Sequence, residues 1–160
     1  MDSNNYSIAI ATPSAAEDVT LMVGELLREI MATIGSQAFN FDSQATLERL
    51  LSYIKEEKYF VFIAYAANES PVGFISAYES YALYAEGAFG TIPELFVQRQ
   101  CRSSTVGASL IQAVKKFGTQ RGWKRIEVTT PPLPEFDRTL SFYRKHGFTI
   151  SGGRKLKCAL

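Results

Sequence analysis

The run YFVFIAYAA at residues 59–67 is the longest apolar stretch in the chain and constrains its fold most strongly. It is far too short to cross a bilayer and suits a buried strand. The turn ANES follows, and then a second strand-like run, PVGFISAYE at 71–79. Two such runs around a short polar turn read as a hairpin.

The segments on either side supply the rest of a layered domain. YSIAIA (6–11) reads as a first strand, and TPSAAEDVTLMVGELLREIMATI (12–34) as a helix. In that helix Val19, Met22, Val23, Leu26, Leu27 and Ile30 recur at helical spacing, and Ser14 and Glu17 are spaced as a capping box. A second helix is expected from about Ser43 to Glu57, carrying Leu47, Leu50, Leu51 and Ile54. After the Tyr- and Gly-bearing loop SYALYAEGAFG, TIPELFV (91–97) reads as a strand. Its proline removes a ladder donor and favours an edge, a start or a bulge. A helix from about Val106 to Arg121, a strand RIEVTT, a helix from Glu135 to about His146 and two short strands, FTIS and KLKCAL, complete the chain. The order β-α-α-β-β-β-α-β-α-β-β predicts one mixed α/β domain over residues 1–160.

Hydrophobic residues at 46% and charged residues at 21% are those of an ordinary globular protein. Cys101 and Cys158 have neither metal-site nor disulfide-framework spacing, so a reducing compartment and no metal are expected. The start MDSNNYS lacks the basic and apolar regions of a secretory signal, which points to the cytoplasm.

The net charge of +1 hides an asymmetry. Residues 1–94 sum to −9 and residues 95–160 to +10, with no acidic side chain between Leu95 and Ile126. This fits a phosphate-bearing ligand on the C-terminal half, or else a set of solvated basic helix faces. The acidic N-terminal half argues against a nucleic-acid partner.

The stretch ELFVQRQCRSSTVGASLIQAVKK (94–116) gives that ligand a place. A helix entering near Thr105 leaves its first N–H groups unpaired and presents the positive end of its dipole. A loop folded over that end can aim N–H groups at a pyrophosphate. Gly107 permits close backbone approach, Ser103, Ser104 and Thr105 can donate hydroxyls or cap the helix, and Arg102 supplies charge. A merely well-capped helix would read the same way. There is no Gly-Lys-Ser/Thr loop and no three-glycine dinucleotide fingerprint.

Order and spacing resemble the GNAT superfamily of acyl-CoA-dependent N-acetyltransferases. The family's Arg/Gln-x-x-Gly-x-Gly/Ala loop reads here Arg102-Ser103-Ser104-Thr105-Val106-Gly107, with Thr105 in place of the first glycine. Its late Ala-x-x-Phe-Tyr-x-x-x-Gly-Phe motif reads RTLSFYRKHGF, with Thr139 for alanine, and Phe136 falls near a common asparagine. The match covers about 91–151, the expected CoA-binding core. The resemblance implies a mostly antiparallel central sheet flanked by helices and splayed at the CoA-binding strand. It also implies acetyl-CoA as co-substrate, an amine acceptor, and pairing of copies through terminal strands as one possibility. A non-catalytic acyl-CoA-binding or protein-interaction module on the same fold is the alternative.

What the resemblance implies about residues is specific. Leu95, Phe96 and Val97 belong to the strand that donates N–H groups to the thioester and pantetheine, with Phe96 or Val97 polarising the carbonyl. Arg102 through Ala108, including Val106, form the pyrophosphate loop. Tyr143 sits where a phenol protonates the departing thiolate, although a buried aromatic paired with Phe142 reads equally simply. Glu94 is the general-base candidate, with acceptor binding, a water relay or an arginine partner as its other uses. Tyr78, Glu79, Tyr81, Tyr84 and Glu86 are expected to border the acceptor cleft, where carboxylates and aromatic faces suit an ammonium group. His146 is expected to meet the helix terminus or solvent, and Cys101 to be a packing residue.

Overall fold

The computed structural model describes residues 5–102, 104–132 and 134–160. Six strands and four α-helices follow in the order β1 (Ser7–Ile10), α1 (Ala16–Ile34), α2 (Ser43–Lys55), β2 (Phe60–Tyr65), β3 (Pro71–Ser80), β4 (Phe89–Ile92), β5 (Leu95–Val97), α3 (Val106–Gln120), β6 (Ile126–Val128) and α4 (Asp137–Lys145). The sheet runs β1-β2-β3-β4-β6, with β5 also on β3. All pairings are antiparallel except β4 with β6.

The β2–β3 hairpin is the centre of the sheet because its residues are apolar on both faces. Val61, Ile63 and Phe74 pack with Val19 and Met22 of α1 and Leu50 of α2. Phe62, Ala64, Ile75 and Ala77 pack with Leu110, Ile111 and Val114 of α3. Fully burying each such large side chain contributes about 1.5–3 kcal/mol, so the two-sided hairpin anchors both helical layers.

Three local expectations are corrected. The Ser14/Glu17 capping box does not form. Pro13–Ala15 make a 3₁₀ turn, and Ala15 caps α1 without a side-chain bond. The side-chain cap lies on α2 instead, where Asp42 Oδ1 accepts the Ala45 N–H at 2.7 Å. The strand expected over 91–97 is split at Pro93-Glu94 into β4 and β5. The two strands expected at 148–151 and 155–160 do not form, and Ile150, Leu156 and Leu160 are exposed. Alternating apolar residues there have no neighbouring ladder to join, and an unpaired strand has no hydrogen bonds to hold it.

The lone tryptophan, Trp123, is buried beside α3, and its Nε1 donates to Glu79 at 2.8 Å. That bond, the Tyr81 hydroxyl and the Arg121 guanidinium hold the Glu79 carboxyl below its ordinary range. A carboxyl whose pKa is depressed by folding adds stability above its unfolded value, and that stability is lost as pH falls through the folded one. Glu79→Gln is therefore expected to cost about 1–2 kcal/mol at pH 7 and progressively less below pH ~4, in urea melts followed by Trp123 fluorescence.

Candidate active site

The register explains the break at Pro93. Tyr78 faces Thr91, while Ile75 faces Leu95. Two residues of β3, Ser76 and Ala77, therefore stand opposite three, Ile92, Pro93 and Glu94. This is a bulge, and a proline without an N–H is suited to the unpaired position. Among the described residues β6 pairs only with β4, ending at Ile92–Val128, and none of their strands lies on the outer side of β5 beyond that point.

Alternation decides which groups of β5 are free. Ser76 N–H donates to the Glu94 carbonyl and Gln98 N–H to the Val72 carbonyl, so residues 94 and 98 face β3. Phe96, midway between them, does likewise, and the N–H groups of Leu95 and Val97 point outward. The Val97 carbonyl confirms this orientation by accepting from Arg102 Nε at 2.8 Å rather than from β3. Of the two N–H groups raised as candidates to polarise a carbonyl, only that of Val97 faces the opening. Leu95, which the sequence reading did not single out for this, presents the other free N–H.

A cleft of about 1130 Å³ opens there. β5 and the bulge form one wall, Val128 and Thr129 another, and α1 and α4 close the ends. Glu94, Leu95, Phe96, Val97, Arg102, Ser104, Gly107 and Tyr143 all line it. Ser103 lies outside the described residues.

At the loop, Thr105 adopts ordinary right-handed geometry (φ −80°, ψ −3°), so the missing glycine requires no positive φ. Ser104 Oγ donates to the Cys101 carbonyl and lies 3.4 Å from the Val106 N–H. Of the first turn of α3 only Gly107 lines the cleft; Thr105, Val106 and Ala108 do not, and the Val106 side chain is fully buried in the core. Two expectations change in their physical reason. The space a Cβ on Gly107 would take already holds the Phe142 ring, with two ring carbons 3.1 Å away. Helix packing by itself thus favours a glycine there, since a Cβ would need the half-buried Phe142 ring to give by a few tenths of an ångström. Arg102 is not a free charge, because its guanidinium meets Glu29 of α1 at 2.6 Å. Arg99 lies 4.0 Å from the same carboxylate, so Glu29 ties the loop to α1.

Tyr143 is 4% exposed, packed edge-on against Phe142 and Phe148. Burial pushes its phenol pKa above the ordinary value, so the hydroxyl stays protonated through neutral pH. Among the described residues that hydroxyl has no hydrogen-bond partner, yet it is not sealed from solvent. Tyr143 lines the cleft, and no described residue engages its hydroxyl.

Glu94 emerges from the bulge into a hydrogen-bonded nest. Tyr59 and Ser76 both donate to its Oε2. Neither was found from sequence: Tyr59 reads as the start of an apolar run, and only the lone hydroxyl of Ser76 inside FIS was a signal. The loop expected to border an acceptor cleft does not reach this one. Glu79 is engaged by Trp123, Arg121 and Tyr81, and with Tyr78 and Tyr53 it lines a separate pocket of about 400 Å³. Tyr84 is exposed, with Arg125 over its ring. His146 caps the end of α4, as expected, and also packs at a tilt against Phe142 (centroids 4.6 Å, planes 55° apart), and Cys101 is half-buried against the core. No group of metal-ligating side chains occurs among the described residues.

Solved structures share this architecture. An aminoglycoside acetyltransferase from an uncultured soil metagenomic sample, in complex with sisomicin, matches at TM-score 0.75 and 21% identity, over 97% of this chain and 96% of that one. The aminoglycoside N-acetyltransferase AAC(6')-Iy in complex with CoA matches at 0.81 and 18%, over 99% and 97%. A ribosomal-protein-alanine N-acetyltransferase from Brucella melitensis biovar Abortus 2308 matches at 0.75 and 14%, over 97% and 99%. No match is found among curated protein sequences. The sequence model of the GNAT acetyltransferase family matches residues 25–148, most of the chain and all of the bulged strand, loop and α4 that build the cleft. The chain belongs to that family, the acetyl-CoA-dependent N-acetyltransferases.

Proposed function

We propose that the chain, acting as one domain over 1–160, transfers the acetyl group of acetyl-CoA directly to an amine of a small molecule or protein within a ternary complex. The observation that carries this reading is the outward-facing edge of β5, set in one cleft with the hydroxyl of Tyr143 and the carboxylate of Glu94. The N–H groups of Leu95 and Val97 receive pantetheine and the thioester oxygen. Ser104 and the first turn of α3, Thr105 to Ala108, receive the pyrophosphate. Ser103 and Arg102 belong to the same loop, and Arg102 is available to phosphate once it exchanges Glu29 for it.

The chemistry then needs three proton movements. Glu94 takes a proton from the acceptor ammonium, leaving a neutral nitrogen to attack the carbonyl carbon. The C–N bond forms, the C–S bond breaks and Tyr143 donates to the departing sulfur, while the acylated nitrogen releases its second proton to solvent, from which Tyr143 recovers its own. Charge on the carbonyl oxygen is met by backbone N–H groups that need no reorganisation.

The test is acetyl-CoA consumption over an amine panel of sisomicin, spermidine and an alanine-terminated peptide, with calorimetry of CoA binding alongside. CoA binding with turnover of at least one amine is expected. Binding without turnover of any amine would favour the non-catalytic acyl-CoA module, and no CoA binding would sink both. A homodimer joined through the terminal segments suits the exposed Ile150, Leu156 and Leu160, which add no strand to this sheet, and light scattering reads it directly. The proposed site of action is the cytoplasm. No helix among the described residues is long and apolar enough to cross a membrane.

A further inference from the structure

Glu94 is held asymmetrically. Tyr59, just before β2, donates its phenol proton to Oε2, and so does the hydroxyl of Ser76 on β3. Ser76 Oγ in turn accepts the N–H of Glu94 itself at 3.2 Å, and the Tyr59 hydroxyl lies 3.2 Å from the same oxygen. The carboxylate is thus closed into a ring with its own backbone amide. Each hydroxyl has one proton to give, and both go to the same atom. Oε1 makes no hydrogen bond among the described residues and is not sealed from solvent.

Three observations show that this ring is built rather than incidental. Ser76 is fully buried within the run Val72–Ala77 of β3, whose other side chains are apolar; an unpaired hydroxyl there would cost about 1–3 kcal/mol, and Glu94 is the partner that satisfies it. Tyr59 is fixed by stacking on Tyr78, with centroids 6.3 Å apart and planes within 12°, and by tilted contact with Tyr53 at 5.7 Å. The bulge turns Glu94 toward both donors, since without the extra residue the side-chain alternation on this strand would reverse. Burial, reinforced by the Glu94 charge, pushes the Tyr59 phenol pKa far up, so it remains a donor at any working pH.

We propose that Tyr59 and Ser76 are positioning residues that load Oε2 of Glu94 and leave Oε1 as the one oxygen able to take the proton of the acceptor amine. This rests on the reading of Glu94 as the base. Both lone pairs of Oε2 are occupied, so a proton leaving nitrogen lands on Oε1, and an amine that delivers it is steered to the side of the carboxylate facing the cleft. The other ionisable groups of that cleft do not compete for Oε2. Arg28 and Glu29 of α1, Arg99 and Arg102 of the loop, and the residues of α4 make no hydrogen bond to this carboxylate.

The test is a double-mutant cycle on the full chain with acetyl-CoA and the fastest amine of the panel above, accompanied by infrared difference spectra of the Glu94 carboxylate. Tyr59→Phe is expected to lower kcat roughly tenfold with little change in the acceptor KM, and Ser76→Ala to act in the same direction. In a Glu94→Gln background Tyr59→Phe is expected to change nothing further, because its only route to the reaction has gone. Loading one oxygen separates the two carboxylate stretching bands, so Tyr59→Phe should narrow the separation assigned by loss of signal in Glu94→Gln. If Glu94→Gln turns over like the parent, the base reading falls and this inference with it. If Glu94→Gln is slow but Tyr59→Phe leaves kcat and band separation unchanged, or lowers kcat equally in both backgrounds, the positioning role alone is overturned. Melting curves from Trp123 fluorescence separate either result from unfolding.

Discussion

Tyr143→Phe is expected to lower kcat about 10²-fold, leaving the KM for acetyl-CoA and the melting temperature close to those of the parent. The rate effect follows from the position of the hydroxyl: a donor on the cleft wall, with no bond to another described residue. Removing it breaks no hydrogen bond to a described residue, and the ring keeps its contacts with Phe142 and Phe148. A thiol with a pKa near 8.5 is already a fair leaving group, so the benefit of a proton donor falls at the low end of general-acid effects, about 2.7 kcal/mol. Two further measurements isolate the role. An acetyl thioester with a more acidic thiol should shrink the difference between Tyr143→Phe and the parent. Because burial raises the phenol pKa, any basic limb below pH ~10 in the parent profile should persist in the variant. An unchanged kcat would remove Tyr143 from the proton pathway.

Gly73→Ala is expected to cost about 2–3 kcal/mol of stability and to raise the KM for acetyl-CoA. A Cβ at this position would lie 2.7 Å from the Phe96 carbonyl oxygen and 3.3 Å from Val97 Cα. Both are backbone atoms of β5, so no rotamer change relieves the contact and the strand itself must move. The displacement acts on the edge whose Leu95 and Val97 N–H groups are proposed to receive the cofactor, so stability loss and binding loss are expected together. Thermal melts and CoA calorimetry on the same protein read both. Gly153→Ala is the control, because nothing lies within 4 Å of its Cβ position and no change is expected. A Gly73→Ala variant with the parent's melting temperature and CoA affinity would show that β5 is not clamped by this approach.

The elements that were legible in the sequence are those with a local signature. α3 was expected from about Val106 to Arg121 and spans Val106–Gln120, because five apolar residues repeat at helical spacing over one face. β2 and β3 were legible because β-rich runs flank a turn whose residues the chain uses, Ala66 pairing with Ser70 across it. The late strands were misread because alternation alone does not make a strand. Residues 148–160 carry the pattern, but no ladder in this sheet receives them. The capping box failed for a related reason: proline at position 13 favours a 3₁₀ turn that moves the start of α1 past Ser14.

The site divides along the same line. The order strand, loop, helix and the FYRKHGF motif are local in sequence, and by themselves carried the family resemblance and, through it, the proposed pyrophosphate loop and the proposed role of Tyr143. The tertiary structure decided which N–H groups are free, since that depends on the register of β5 against β3 and on a one-residue bulge. It also decided that Gly107 makes room for Phe142, that Glu29 holds Arg102, and that Tyr59 and Ser76 meet Glu94 from 35 and 18 residues away. A periodic pattern or a capping preference acts over one turn or one hairpin and leaves a mark in the sequence. A contact among residues before β2, on β3 and in the bulge between β4 and β5 leaves almost none, because it exists only once the strand pairing has been chosen.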